Sequence, residues 1–169
     1  PSSRTSFRSS MQTTPRRKDR TLAPADAERL FDAAEYAFLT LVSDDEYPYS
    51  VPVNFAKVGK TVYIHGTPQG RKIAMVSANP HAQLAVVASA QVVPEEFSTN
   101  YESAMAFGKI FVCADESEKL CGLRAIAAKY CRHLPLEGEI FVESPIARTA
   151  VFRYEIEGIS GKRRGTAAQ

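Results

Sequence analysis

The sequence has no tryptophan, only three cysteines and no long uninterrupted apolar run. A membrane helix needs about 20 predominantly apolar residues, so we expect no membrane association. Cys113, Cys121 and Cys131 are odd in number and are never spaced C-x-x-C. This pattern favours free thiols and a cytoplasmic location over a disulfide-stabilised secreted domain. Residues 1–20 contain no apolar segment and do not resemble a secretory signal.

Neither sign of charge is in large excess, since the formal net charge is only +2. Residues 1–20 carry six basic side chains and one acid, whereas residues 21–161 have a net charge of −6. We interpret residues 1–20 as a disordered basic arm and residues 165–169 as a C-terminal tail. The cluster Lys162, Arg163 and Arg164 is expected to be solvated after the last strand. A mildly acidic body gives little reason to expect a nucleic-acid partner.

The remaining residues, 21–164, have the length of one domain. Alternating apolar residues and turn signals predict strands, and apolar residues at three- and four-residue steps predict helices. No βαβ alternation is visible, so the expected class is mainly β (α+β), a six-stranded antiparallel barrel with peripheral helices. Strands are predicted at 36–43, 49–57, 60–65, 81–90, 103–113 and 149–156, and helices at 24–34, 71–78 and after the capping sequence Asp115-x-x-Glu118.

The most informative segment runs from residue 63 to residue 72, YIHGTPQGRK. A strand ends here, a glycine-bounded loop follows, and a helix begins with Arg71 and Lys72. Cations in a first turn are unfavourable for a helix unless an anion binds there, because the helix start is already partly positive. A bound phosphate would explain the pair, since arginine and lysine both bind phosphate oxygens. The alternative is an ordinary solvated pair of cations.

A second feature is Pro52 within the predicted strand SVPVN. Proline lacks a backbone donor and is confined to edge strands or gaps in a sheet. A flat ligand could lie against such a gap and use the neighbouring backbone groups. The alternative is an ordinary edge proline.

Taken together, these segments resemble a known family. The order VPVNF, YIHG-x-x-x-GRK, a helix ending in NP, an apolar strand and ESAMAFGK is similar to the FMN-binding split-barrel superfamily of pyridoxamine-phosphate oxidases. RRKDR at 16–20, AEY at 34–36 and FSTNYES at 97–103 resemble its nitroimidazole-resistance branch. The similarity covers about residues 16 to 164.

The resemblance implies a set of site residues. FMN would lie at a homodimer interface, with its phosphate on Arg71 and Lys72 and its ring along residues 51–54. Glu102 and Ser103 would reach it from the second subunit, although Ser103 replaces the larger amide usual in the oxidase branch. The residues implied to bind the cofactor are Val51, Pro52, Val53, Asn54, His65, Gly66, Gly70, Arg71, Lys72, Glu102 and Ser103.

His65 is the candidate catalytic residue. In the nitroimidazole-resistance branch a histidine here lies near the flavin and substrate, where it could donate a proton or polarise a nitro group. The alternative is a strand-end histidine with structural hydrogen bonds. Cys131-Arg132-His133 predicts no metal site, because no second ligand pair stands at metal-binding spacing.

The expected function is therefore an FMN-dependent oxidoreductase that reduces small, electron-poor nitroaromatic molecules with a reduced nicotinamide donor. FAD is an open alternative to FMN. A pyridoxamine-phosphate oxidase is less favoured, because that branch usually places tryptophan in a C-terminal substrate motif. A non-catalytic module that holds a flavin, or less favourably haem, is the third possibility.

Overall fold

Seven strands form one antiparallel sheet in the computed structural model, which describes residues 15–42, 47–134 and 149–165. The order across the sheet is β2-β1-β5-β6-β7-β4-β3. Neighbouring strands in this order are all antiparallel. The strands are β1 (Tyr36–Leu41), β2 (Tyr49–Asn54), β3 (Ala56–Val58), β4 (Thr61–Gly66), β5 (His81–Val93), β6 (Ser98–Val112) and β7 (Ala150–Arg164).

The sheet curls into a split barrel. Strands β2 and β3 stand at its opposite edges, yet only Phe55 separates them in the chain. The edges must therefore come together at that residue. This confirms the predicted fold class, with seven strands rather than six. The predicted strand 49–57 is divided at Phe55, whose N–H donates to the Tyr130 hydroxyl at 3.0 Å.

Two other expectations along the chain are wrong. The strand predicted over 103–113 begins earlier, because β6 already starts at Ser98. The solvated cluster predicted at 162–164 is the last part of β7 and pairs with β6. Arg163 forms an ion pair with Glu102, and Arg164 donates to Asn100 Oδ1 at 2.8 Å. Side-chain partners on the neighbouring strand thus keep these cations within the sheet.

Only part of the predicted basic arm falls within the described residues. Lys18–Arg20 form a short 3₁₀ helix, and Arg17 pairs with Asp19 at 2.8 Å. Residues 1–14 and 166–169 lie outside the described residues, as do 43–46, where the end of the first predicted strand falls. The disorder of the arm and the division of the chain into arm, domain and tail stay predictions.

Within the described ranges, three α-helices pack around the sheet: α1 (Pro24–Ala33), α2 (Arg71–Ala78) and α3 (Glu116–Tyr130). Pro24 begins α1, where its missing N–H has no helical partner to lose. The Asp115 carboxylate caps α3 by accepting from the Glu118 N–H at 2.9 Å. No helix in the described ranges is long and apolar enough to cross a membrane.

Two apolar cores result from the alternation along β4. Val62 and Ile64 are fully buried inside the barrel, together with Phe31 of α1. Tyr63 points the other way and packs in a second core under α3, with Leu123 among its neighbours. His65 shares the Tyr63 face because side chains alternate along a strand. The fold therefore places His65 outside the barrel, on the side that α3 covers.

Candidate functional site

The junction between β4 and α2 has the features of an anion site. Gly70 precedes α2 with a positive φ of 111°, a conformation that glycine adopts readily. As the N-cap residue, Gly70 has no side chain that could cap the helix, and the first turn contains no acid. The unpaired N–H groups and the helix dipole give it positive potential. Arg71 and Lys72 add two full charges at the same place.

Both cations of this pair are held by neighbouring strands. The Lys72 ammonium lies 3.4 Å from the place a Cβ on Gly66 would occupy, so glycine lets it fold against the end of β4. The Arg71 guanidinium lies over the Tyr49 ring, 5.0 Å from its centroid. Tyr49 is the first residue of β2. The structure therefore brings Gly66, Gly70, Arg71 and Lys72 together, and their role in binding a phosphate stays a prediction.

Strand β2 leads from this anion site toward His65. In the part of the chain that the structure describes, it is an edge strand that pairs with β1 alone, and an edge position tolerates Pro52. Val53 is buried in the barrel core, and Val51 packs against that core. Pro52 and Asn54 are exposed on the other face. The two valines can therefore meet a ligand mainly through their backbone, whereas Pro52 and Asn54 can offer side chains.

A cavity of about 260 Å³ opens where β2 and β4 end beneath α3. We call it the α3 cavity. Two of its walls, His65 and Asn54, were predicted site residues. The α3 residues were not, because their helical spacing predicts a packing face and nothing in it distinguishes packing from lining a cavity. The lining residues are Asn54, His65, Leu123, Ile126, Ala127, Tyr130 and Cys131.

The surroundings of His65 favour a neutral imidazole. Its Nδ1 is buried and makes no hydrogen bond to any described residue. Burial lowers the pKa of His65, and the nearby Lys72 charge lowers it further. A second proton would bury a cation with an unpaired N–H, and an unpaired buried polar group costs about 1–3 kcal/mol. Since Nδ1 is closed to solvent, Nε2 is the ring nitrogen that a ligand can reach.

The end of α3 is fastened to the corner between β2 and β3. The Tyr130 hydroxyl accepts from the Phe55 N–H and lies 2.9 Å from the Phe55 carbonyl oxygen. It also contacts the carbonyl oxygen of Glu35, and its single proton serves one of these two acceptors. The Lys129 ammonium donates to the Ala34 carbonyl at 2.6 Å and lies 3.7 Å over the Phe55 ring. These contacts fix one wall of the α3 cavity.

Glu102 and Ser103 lie far from this site along the sheet. They pair with Arg163 and Lys162, near the end of β7. His65 and Gly66 pair with the opposite end of β7, at Val151 and Ala150. Within one chain the two groups of predicted residues do not meet.

The fold is an antiparallel split barrel with paired cations at a strand–helix junction. Comparison with known proteins shows which family has this fold. The profile of the pyridoxamine 5'-phosphate oxidase family matches residues 23–163. The chain therefore belongs to the pyridoxamine 5'-phosphate oxidase family. No curated protein matches it.

Solved structures share the fold at low identity. A candidate 5-nitroimidazole antibiotic resistance protein from Bacteroides thetaiotaomicron is 24% identical, with a TM-score of 0.70 over 84% of this chain and 85% of the other. The flavocytochrome Anf3 from Azotobacter vinelandii is 23% identical, with a TM-score of 0.77 over 93% and 75%. An FAD-binding protein from Mesorhizobium loti is 24% identical, with a TM-score of 0.66 over 86% and 98%.

Proposed function

We propose that this protein binds FMN and reduces small, electron-poor molecules such as nitroaromatics, with a reduced nicotinamide as donor. The observation that carries the proposal is the paired cations Arg71 and Lys72 at the uncapped start of α2, beside a cavity that contains His65. Membership of the oxidase family and the fold shared with flavin-binding proteins and a candidate nitroimidazole-resistance protein support it.

Each residue of the proposed site has a separate role. Arg71 and Lys72 hold the phosphate, and the exposed edge of β2 supports the ring system. When bound, the flavin supplies hydride or electron transfer to the substrate. His65 orients and polarises an acceptor group on the substrate through Nε2. Its lowered pKa favours this role over that of a proton-donating imidazolium.

We further propose that two copies associate to complete the site. An outer apolar face is formed by Tyr36, Phe38, Pro52, Ala85 and Val87. Phe38 pairs with Pro52 on one side and Ala85 on the other, and 53% of Tyr36, 41% of Phe38 and 56% of Val87 are exposed. Exposed apolar patches of this kind mark protein interfaces. A second copy would also supply Glu102 and Ser103, which one chain holds away from its own cavity.

The phosphate role is tested by comparing FMN with riboflavin, which has the same ring system and no phosphate. The wild-type protein should bind FMN at least 100-fold more tightly than riboflavin, since charge-assisted contacts to a phosphate are strong. In the double variant Arg71→Ala, Lys72→Ala, the two affinities should become similar. Quenching of flavin fluorescence measures both.

The matched control replaces two exposed cations elsewhere, Arg29→Ala and Lys60→Ala, which removes the same charge from the molecule. This control should keep the preference for FMN. If the Arg71 and Lys72 variant keeps the preference too, the phosphate does not bind at α2 and the proposal is wrong.

A further inference from the structure

We propose that a pocket between residues 19–22 and the end of β7 binds a small phosphorylated molecule of nucleotide size through its phosphate group. We call it the arginine pocket, and residues 19–22 and 163–165 line it within the described part of the chain. The anion site at α2 lies at the other end of β7, where Gly66 pairs with Ala150. The inference goes beyond the proposed function, because it requires neither a flavin nor a second copy.

The fold brings two basic segments of the sequence to one place. The Leu22 N–H donates to the Gly161 carbonyl at 3.0 Å, which fastens the N-terminal segment beside the end of β7. Gly161 permits this close approach, since a Cβ there would lie 2.9 Å from the Ala27 Cβ. The basic sequences at 16–20 and 162–164 therefore meet in space, although they stand at opposite ends of the domain sequence.

The arginine pocket holds guanidinium donors that the described residues do not use. Arg20 makes no side-chain hydrogen bond or ion pair with any described residue. Arg163 contacts Glu102 through Nε, and its two terminal nitrogens have no partner among the described residues. The Arg163 side chain is 41% exposed, so a ligand can reach these nitrogens. Each terminal nitrogen carries two N–H donors.

Arg164 and Gly165 fix the shape of the pocket. The two terminal nitrogens of Arg164 donate to Asn100 Oδ1 at 2.8 Å and to Glu96 at 2.7 Å. Gly165 has a positive φ of 79°, and a Cβ there would overlap the Asn100 side chain. Glycine therefore lets the chain turn closely around this residue. A site that is shaped before its ligand arrives loses less entropy on binding.

The charges at the pocket favour an anion. Asp19 accepts two hydrogen bonds from Arg17 and interacts more weakly with Arg20, so two cations share one carboxylate. Residues 1–14 and 166–169 continue the two segments that line the pocket, and they contain no Asp or Glu. Within the described ranges, positive charge is therefore in excess at this place.

A phosphate group matches these donors. It carries a charge of about −1.5 to −2 near pH 7 and has three acceptor oxygens, enough to meet both Arg20 and the terminal nitrogens of Arg163. Arginine also pairs with phosphate through two parallel hydrogen bonds. The pocket volume of about 470 Å³ lies within the roughly 300–1,000 Å³ typical of small-molecule sites. It therefore has room for an organic body beyond the phosphate.

The test uses ADP as the phosphorylated probe, adenosine as the matched molecule without phosphate, and citrate as an anion without phosphate. Each is titrated into the protein with and without one equivalent of FMN, and backbone amide shifts are followed by NMR. ADP should shift Leu22 and Gly165 under both conditions. It should bind at least about 10-fold more tightly than adenosine or citrate, because hydrogen bonds to charged groups are stronger than neutral ones.

A matched pair of variants locates the phosphate. Arg20→Ala removes a guanidinium without breaking a contact to a described residue, and it should weaken ADP binding at least about 10-fold. Lys18→Ala removes the same charge from an exposed side chain outside the pocket. It should weaken ADP binding less than about 3-fold, because solvent and salt screen exposed charges. The comparison of ADP with adenosine needs no variant, so the test does not depend on how the variants fold.

Three results would overturn the inference: ADP shifts confined to α2, equal affinities for ADP and citrate, or equal losses in Arg20→Ala and Lys18→Ala. Equal affinities would show that the pocket attracts anions without recognising phosphate. A protein that binds ADP at Leu22 and Gly165 and never binds FMN would keep the inference and refute the proposed function. A protein that binds FMN and shows no ADP shifts at these two residues would do the reverse.

Discussion

The His65 ring combines three properties that bear on its chemistry. It lines a cavity, one of its nitrogens is buried without a partner, and burial and Lys72 lower its pKa. Each property follows from its place on the outer face of β4, beneath α3 and beside Gly66. The surroundings of the His65 ring therefore favour the neutral imidazole.

The lowered pKa has a consequence for stability. An unfolded histidine begins to take up a proton near pH 6.5, whereas folded His65 resists it to lower pH. Its contribution to the free energy of unfolding is therefore complete above about pH 6.5 and is lost as the pH falls from there through the lowered pKa. In His65→Gln the fall in stability between pH 7 and pH 5 should be smaller, as measured by urea unfolding.

An NMR titration in which the His65 ring titrates at or above its ordinary pKa would contradict the account.

Sequence reasoning predicted those residues of the candidate site whose chemistry is visible in the amino-acid sequence. The cations at the start of α2 stand out because they oppose the helix dipole, and glycines at 66 and 70 bound the loop before them. It missed Ile126 and Cys131 as cavity residues, because the difference between a packed and an open helix face depends on what the helix meets in space.

At the scale of elements, the attachment of α3 decides whether the cavity exists. The helix packs closely on β4, since a Cβ on Gly122 would lie 2.8 Å from Tyr63 Cδ1. Its end is held by the Tyr130 hydroxyl at the break between β2 and β3. One side chain thus divides the strand and anchors the helix.

Removing that hydroxyl tests its role. Tyr130→Phe leaves the Phe55 N–H without its partner, and such a loss costs about 1–3 kcal/mol of unfolding free energy. Tyr47→Phe removes a hydroxyl from a side chain that is 74% exposed and should change stability by less than about 0.5 kcal/mol. Chemical denaturation of both variants makes the comparison, and equal stabilities would show that Tyr130 does not fasten α3.

Local sequence predicts some boundaries of helices and strands, whereas others depend on contacts with residues far away in the chain. Helix α2 was predicted within the bounds that the structure has, since glycine precedes it and proline follows it. The break at Phe55 was missed because it depends on Tyr130, which is 75 positions away in the chain. The length of β7 was missed because Glu102 and Asn100, on another strand, hold its terminal arginines.

For the whole molecule, the proposed dimer follows from the outer apolar face. Phe38→Asp places a charge at the centre of that face and should convert dimers to monomers, because an unpaired charge in an interface is costly. Val58 on β3 is 48% exposed and lies outside the face, so Val58→Asp is the matched control. Light scattering coupled to size-exclusion chromatography measures both, and a wild-type monomer would refute the dimer.

The antiparallel barrel could be predicted from the sequence as a fold class. Short turns between alternating strands indicate antiparallel pairing, whereas the meeting of β2 and β3 at Phe55 depends on the closure of the whole sheet. The proposed function depends on the same closure, since it brings the cation pair, the edge of β2 and His65 to one side of the molecule.

Flavin binding is tested by the visible absorption spectrum of the purified protein. We expect a yellow protein with the absorption bands of an oxidised flavin, about one flavin per subunit, and FMN released on denaturation. A colourless protein that does not change on addition of FMN would contradict it. So would a haem spectrum without any flavin bands.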